Sequence, residues 1–371
     1  MAVNYRGPRE PGPLVRHSGD ISSIDSRSLV VRHWLPADAG GSCRTHNGAA
    51  YVQIPIVSPR RWRCGGTRRS GRGPTLNRVN PLPLVHRVAH RLARTGLRGS
   101  SWYWRLARLC QRPPDVGVVR LPDGTPLMYD PSDWTCRTAY DGTYEREVLR
   151  LMEDLLDEGD VVVDVGANVG IISAHASGLV GATGHVIAVE PSPRCLGDLH
   201  AVTDGLDNVT VVEAALGPEN GTVDLTGWDN PDHRGLGSVV PGHRAGLAEN
   251  WFEGEAREVP QRRLEDLLAE HIGRGHPIGL LKVDVEGFEP MVLKGAPDLF
   301  RNRQVRAAIL EVTTTLPVDW VGYLLGEVEQ DYDAFVIGES GRIRRRLNLE
   351  SVDAESAVER STQWNLLLRR R

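Results

Sequence analysis

The chain has 371 residues, 40% of them hydrophobic and 25% charged, with a net charge of −4. That length and composition suit one large or two ordinary globular domains with a sizeable core. The five cysteines, Cys43, Cys64, Cys110, Cys136 and Cys195, show no C-x-x-C spacing, which argues against a zinc site or a redox motif and fits reduced thiols in a cytoplasm.

The charge is unevenly spread. Residues 1–115 hold 20 arginines against 5 acidic residues, so the rest of the chain carries a surplus of 19 negative charges. Lysine occurs only at Lys282 and Lys294. Residues 1–80 are rich in Gly, Pro, Ser and Arg, as in "RRWRCGGTRRSGRGP", and read as a disordered basic extension. Nucleic-acid binding by this tail is the competing reading, weakened by the chain-wide preference for arginine.

Residues 81–114 read as an amphipathic helical segment. Leu84, Val88 and Leu92, then Trp102, Leu106 and Leu109, recur at near-helical spacing with arginines between them. Such a pair can lie on a membrane surface; packing onto the adjoining domain is the preferred reading. The longest mildly apolar stretch, Val161 to Val189, is interrupted by Asp164, Asn168 and His175, so no transmembrane segment is expected. The N-terminus lacks the charged-then-apolar order of a secretory signal.

A folded domain is expected over 115–371. "VGVVRLPDGTPLMYD" reads as a hairpin turning at Asp123-Gly124. "TYEREVLRLMEDLLDEGD" reads as a helix capped by Thr143 and closed at Gly159. Strands at Val161–Val165, His185–Glu190, Val209–Glu213, Gly279–Asp284 and Ala307–Val312 alternate with helices from Gly170, Pro193, Leu264 and Pro290. Two more strands are expected at Ala334–Ile337 and Trp364–Leu368. The alternation implies an α/β fold with a mostly parallel sheet covered by helices.

Three stretches carry chemistry. In "VVVDVGANVG" a β-branched strand runs into Gly166, Ala167, Asn168 and Gly170, where a helix opens. A nicotinamide fingerprint would need glycine at 168 and 171, so that match fails. The pattern that remains, Asp164 followed by Gly166, Asn168 and Gly170, brings a loop close to a ligand beside a carboxylate, which suits a ligand bearing an ammonium group. Glu190, at the end of the next strand, stands where an acid commonly accepts both ribose hydroxyls, and Ser192-Pro193 reads as an N-cap and first helical residue. Glu213, with the Ala214 backbone, is a candidate for the adenine edge.

The third stretch is "LLKVDVEGFEP", Leu280 to Pro290. Strand alternation puts Lys282, Asp284 and Glu286 on one face, near the carboxyl end where open α/β sheets bind ligands. A self-satisfied Lys282–Asp284 ion pair is the plainer reading. A role for Asp284 and Glu286 in the site, oriented by Lys282, is favoured. Asp284, Glu286 and Glu311 together have the composition of a divalent-ion site, but no histidine joins them and none is expected. Ser173 and His175 lack triad spacing, and no G-x-S-x-G occurs, so hydrolase chemistry is unsupported.

"GDVVVDVGANVGIISAHASGLVGATGHVIAVEPSP" and "LLKVDVEGFEPMVLKGA", with "GTYEREV" before them and "NLLL" at the end, resemble the FkbM family of S-adenosylmethionine-dependent methyltransferases. The resemblance covers about Val116 to Arg371. It implies the Rossmann-like class I methyltransferase sheet, S-adenosylmethionine as cofactor, and O-methylation of a small-molecule hydroxyl on a sugar or other secondary metabolite. It carries cofactor contacts onto Asp164, Gly166, Asn168, Gly170 and Glu190 and draws attention to Glu145 near the methionine end. Asp284 and Glu286 are the candidate bases, and Ser238 in "GLGSVV" is a candidate lid residue. An RNA methyltransferase using the basic tail and a non-catalytic cofactor-binding protein are the alternatives. Base N-methylation would favour an N/D-P-P-Y turn where "DVEG" stands.

Overall fold

The computed structural model describes residues 44–46, 49–51, 80–94, 100–227, 237–239, 256–312, 319–338, 348–353, 357 and 363–371. Two units separate, Met1–Ser70 and Gly71–Arg371. The described part of the first is an antiparallel hairpin of β1 (Arg44–His46) and β2 (Ala49–Tyr51). The rest of the expected basic extension lies outside the described residues.

The second unit begins with β3 (Asn80–Pro81), α1 (Leu84–Arg94) and α2 (Ser100–Cys110). The expected hairpin follows as β4 (Gly117–Arg120) and β5 (Pro126–Tyr129), antiparallel and joined to β3 in a three-stranded sheet. Then come α3 (Trp134–Asp141), α4 (Arg146–Leu155), β6 (Val161–Val165), α5 (Ile171–Val180), β7 (His185–Val189), α6 (Pro193–Thr203) and β8 (Val209–Val212). A small sheet of β9 (Ala215–Leu216), β10 (Gly221–Leu225) and β11 (Arg257–Arg262) precedes α7 (Leu264–His271), β12 (Ile278–Val283), α8 (Glu289–Lys294) and β13 (Val305–Val312). The last elements are α9 (Asp319–Val328), β14 (Tyr332–Gly338), β15 (Asn348–Ser351) and β16 (Trp364–Arg370).

Eight strands form the main sheet in the order β15-β14-β16-β13-β12-β6-β7-β8. From β8 through β7, β6 and β12 to β13 every pairing is parallel, whereas β16 lies antiparallel between β13 and β14. Chain order reverses beside β6: the chain moves outward to β7 and β8, then returns to place β12 on the other side. This is a Rossmann-like α/β sheet, mostly parallel and extended beyond β13 by β16, β14 and β15. Its switch point lies between β6 and β12, where such sheets open a crevice at the strands' carboxyl ends.

Strand alternation divides the core into two layers. Val162, Val186, Leu280 and Ile309 pack against Val148, Met152, Ile172 and Ala176 of α4 and α5. Their neighbours Val163, Ile187, Leu281 and Leu310 face the other way, against Leu264, Val292, Val321 and Leu325 of α7, α8 and α9. Each fully buried aliphatic side chain contributes about 1.5–3 kcal/mol of transfer free energy, which holds the strand ends in register around the crevice.

Several local expectations are corrected. Thr143 does not cap a helix; α4 begins at Arg146 after Glu145, whose φ is 43°. Asp133 instead caps the unforeseen α3, its carboxylate accepting from the Cys136 N–H. Ser192 occupies the N-cap position of α6 without a side-chain cap bond. On α1 and α2 the apolar stripe points outward. Leu84, Val88, Trp102, Leu106 and Leu109 are exposed, while His86, Ala89, His90 and Ala93 of α1 and Trp104 and Ala107 of α2 are buried. The inner face wins because its polar aromatics satisfy one another: the His86 ring bonds the Tyr140 hydroxyl, and the Trp104 indole N–H donates to the Asp141 carbonyl at 2.9 Å. Cys136 and Cys195 are buried and Cys110 is exposed, all as free thiols.

Candidate active site

A cavity of about 450 Å³ opens where the carboxyl ends of β6, β7, β12 and β13 meet, a volume in the range of small-molecule sites. Gly166 and Asn168 line it from the loop after β6, Glu190 and Ser192 from the loop after β7, and Ala214 from beyond β8. Asp284, Glu286 and Phe288 enter after β12, and Glu311 from β13. Trp134 and Thr138 of α3, with Tyr144, Glu145 and Gln363, close the remaining wall.

The loop after β6 is held by close packing. Gly166 adopts φ 84°, and a Cβ there would lie 1.9 Å from the Asp284 carbonyl oxygen. Only glycine lets the β6 loop and the end of β12 approach this closely. Asn168 takes φ 52°, a left-handed conformation that asparagine tolerates. Its N–H donates to Glu190 Oε2 at 2.8 Å, and the Ser192 N–H donates to Oε1 at 2.8 Å. Both oxygens of Glu190 are thereby aimed by backbone, and its side chain is buried in the cavity wall.

The candidate residues do not all reach the cavity. Asp164 is fully buried beneath the loop; Ser173 Oγ donates to its Oδ2 at 2.6 Å, and Oδ1 has no partner among the described residues. Ala167 packs on Ala188, Leu196 and Leu199. Gly170 opens α5 against Leu199, whose Cδ1 would lie 2.8 Å from an added Cβ. Glu213 points to solvent and pairs with His200 at 2.9 Å, while the adjoining Ala214 does line the cavity. Lys282 lies below the wall, 3% exposed, its Nζ 2.7 Å from Asp284 Oδ2.

The three charges of β12 do not share a strand face throughout. The strand ends at Val283, and Glu286, at φ 56°, sits in a turn that breaks the alternation. That turn is pinned by Glu289, whose Oε1 accepts the N–H groups of Val285 at 3.0 Å and Gly287 at 3.1 Å. Ser238 Oγ donates to the Glu286 carbonyl at 3.1 Å, so the candidate lid residue touches this turn.

Burial dominates the electrostatics. It raises the carboxyls of Glu190, Glu145 and Glu289 each to about 7 and pushes Glu311 well above the usual range, with Asp284 adding to the effect at Glu311. Asp164 is raised by burial too, opposed by Lys282 and by the Ser173 hydroxyl. Burial alone would pull the Lys282 ammonium down, but Asp284, Asp164 and Glu145 more than offset it and keep it charged. Lys282 is thus the cation around which a crowded set of carboxyls is arranged. Asp284, Glu286 and Glu311 offer carboxylate oxygens within 4.8 Å of one another, and Gln363 donates to Glu311 Oε1.

Trp134, Thr138, Tyr144, Phe288 and Gln363 were not foreseen as lining residues. The Asp133 N-cap in "SDWTC" is the local signal for α3, but it does not show that the helix, packed on β5 and α1, turns Trp134 and Thr138 to the cavity. Gln363 arrives through the antiparallel return of β16.

Residues 164–336 match the model of the methyltransferase FkbM domain. Methyltransferase sdnD of Sordaria araneosa is 32% identical over 165 residues, covering 38% of this chain and 62% of that protein's length. Among solved structures, methyltransferase FkbM from Methylobacillus flagellatus is 17% identical, with a TM-score of 0.34 over 65% of this chain and 56% of the other. Aeropyrum pernix fibrillarin, solved with natively bound S-adenosyl-L-methionine, is 13% identical, with a TM-score of 0.34 over 70% of this chain and 84% of the other. The similarity to the methyltransferase FkbM domain runs from the end of β6 into β14 and takes in the cavity residues between them.

Proposed function

We propose that this protein is an S-adenosylmethionine-dependent methyltransferase that methylates a hydroxyl oxygen of a small molecule such as a sugar or another secondary metabolite. The observation that carries the reading is Glu190. Two backbone N–H groups fix its oxygens, and the lone pairs left over suit a vicinal diol such as the cofactor's ribose. The buried Ser192 hydroxyl has no partner among the described residues and lines the same wall, a second polar atom that a bound nucleoside would satisfy. Ala214 would pack near the base. Glu145, in the wall closest to the Lys282 cluster, would meet the amino-acid end, where an ammonium group would favour its ionised form. Asp164 and Gly170 would act indirectly, by holding the loop.

When bound, the cofactor supplies a methyl group already activated on a sulfonium, so the protein's main task is alignment. A hydroxyl is a weak nucleophile and gains from a positioned base. Asp284 and Glu286, both in the cavity wall, are the groups we assign to take its proton, with Lys282 orienting Asp284. Lys282 already supplies a cation to Asp284, so the reading needs no metal ion. The turn after β12, Asp284-Val285-Glu286-Gly287, offers carboxylates to a hydroxyl rather than the amide and stacking ring that a nucleobase amine requires.

The test is incubation with methyl-labelled S-adenosylmethionine and a panel of hydroxylated metabolites, beside the same assay on RNA. Label on a hydroxyl, lost in Asp284→Asn or Glu286→Gln, supports the proposal. Label on RNA alone, or cofactor binding with no transfer to any acceptor, refutes it.

A further inference from the structure

Helices α1 and α2 present their apolar stripes to solvent. On α1 the exposed positions are Leu84, Arg87, Val88 and Arg91, one stripe at helical spacing. Leu84 is 64% exposed, and on α2 Trp102 is 67% and Leu109 84% exposed. Trp104 of α2 and His86 of α1 both pack on Tyr140, so the two inner faces converge and both outer stripes face away from the same core. Independently, residues 39–114 contain 15 arginines and no Asp or Glu. Arg94 and Arg108 are paired to carboxylates. Arg87, Arg91 and Arg105 have no carboxylate partner among the described residues.

The geometry points to a docking surface for an anionic lipid bilayer, with α1 and α2 lying in the plane of the headgroups. Arginine alternates with leucine, valine and tryptophan along the stripes rather than forming a rim around them. Arginine stems beside the apolar side chains can snorkel, reaching lipid phosphates with the guanidinium while leucine, valine and tryptophan meet the acyl boundary, and tryptophan favours that depth. A second copy of the chain fits poorly, because self-association would oppose two arginine stripes with no acid from residues 39–114 to pair them. A nucleic acid would meet the arginines but leave the leucines without a partner. The inference stands apart from the methyl-transfer reading, since it uses no residue of the cavity. None of the described helices is long and apolar enough to cross a membrane; the surface described is for lying on one.

The experiment is flotation of the full chain with phosphatidylglycerol–phosphatidylcholine vesicles and with phosphatidylcholine vesicles alone. Binding to the anionic vesicles only, weakening as salt rises, is expected. Leu106→Ser/Leu109→Ser and, separately, Arg87→Gln/Arg91→Gln/Arg105→Gln should each lower partitioning at least about tenfold with the melting temperature unchanged. If the leucine variant fails to fold, the arginine variant, whose side chains are exposed, decides. No flotation with anionic vesicles overturns the inference. So does flotation retained by the variants, which would assign binding to the basic tail, or a dimer that the leucine variant converts to monomer without any vesicle binding.

Discussion

Replacing Lys282 with methionine removes the one ammonium buried among Asp284, Asp164 and Glu145. Its side chain is 3% exposed and that of Asp284 21%, with 2.7 Å between Nζ and Oδ2. Solvent screening is therefore weak, and removing one partner of such a pair costs about 3–5 kcal/mol. For a unit the size of Gly71–Arg371, the unfolding entropy is roughly 0.6 kcal/mol/K, so Lys282→Met should lower the Tm by about 5–8 °C. Removing the facing charge as well relieves part of the penalty. Lys282→Met/Asp284→Asn should be less destabilised than the two single variants summed, with a coupling of about 1.5 kcal/mol or more. Denaturant titration of the four proteins measures it. Additive effects, or a single variant as stable as the parent, would show that the ion pair does not organise this end of the sheet.

Gly166→Ala should destabilise by roughly 3–5 kcal/mol, combining left-handed strain with overlap on the Asp284 carbonyl, and should weaken cofactor binding; a melt within about 1 °C of the parent would contradict the packing of the loop. Glu289→Gln should gain stability relative to the parent as pH rises. The parent's carboxyl, raised from 4.5 to about 7 by burial, holds a proton in the fold that the unfolded chain has already released, so the parent loses stability between those values and the amide does not. The difference, at most about 3 kcal/mol, should be small at pH 4.5 and fully developed at pH 8, and a flat difference across that range would refute it. Chelation with EDTA should leave methyl transfer unchanged; loss of activity restored by a divalent ion would instead make Asp284, Glu286 and Glu311 ligands.

The sheet was legible because its strands are short apolar runs ended by glycine or acidic residues. Val161–Val165 is a β-strand with the bounds that the sequence implies, and β7, β12 and β13 differ only at their ends. Glu190 stood out for the same reason: a strand end and a spacing from Gly166 are both one-dimensional facts. What failed depended on the third dimension. Glu213 follows β8 as Glu190 follows β7, yet it remains in solvent beside His200. Asp164 was read as touching a ligand, but the loop that follows it turns over the carboxylate and buries it against Ser173. Glu286 was placed by alternation, which ended one turn early because Glu289 draws the Val285 and Gly287 N–H groups into a tight bend. The outward stripe of α1 and α2 inverted the usual rule, since the apolar spacing marked the face that does not pack.

If the proposed function is right, the crevice beside β6 grips a nucleoside through Glu190, whose carboxylate is fixed by two backbone N–H groups. Calorimetric titration of the parent and of Glu190→Gln with S-adenosylhomocysteine measures that grip. Losing charged hydrogen bonds worth about 1.5–3 kcal/mol should weaken binding roughly 10–100-fold. In the parent, binding should also weaken as pH falls below about 7, where Glu190 takes up its proton. Equal affinities for the two proteins would contradict the claim.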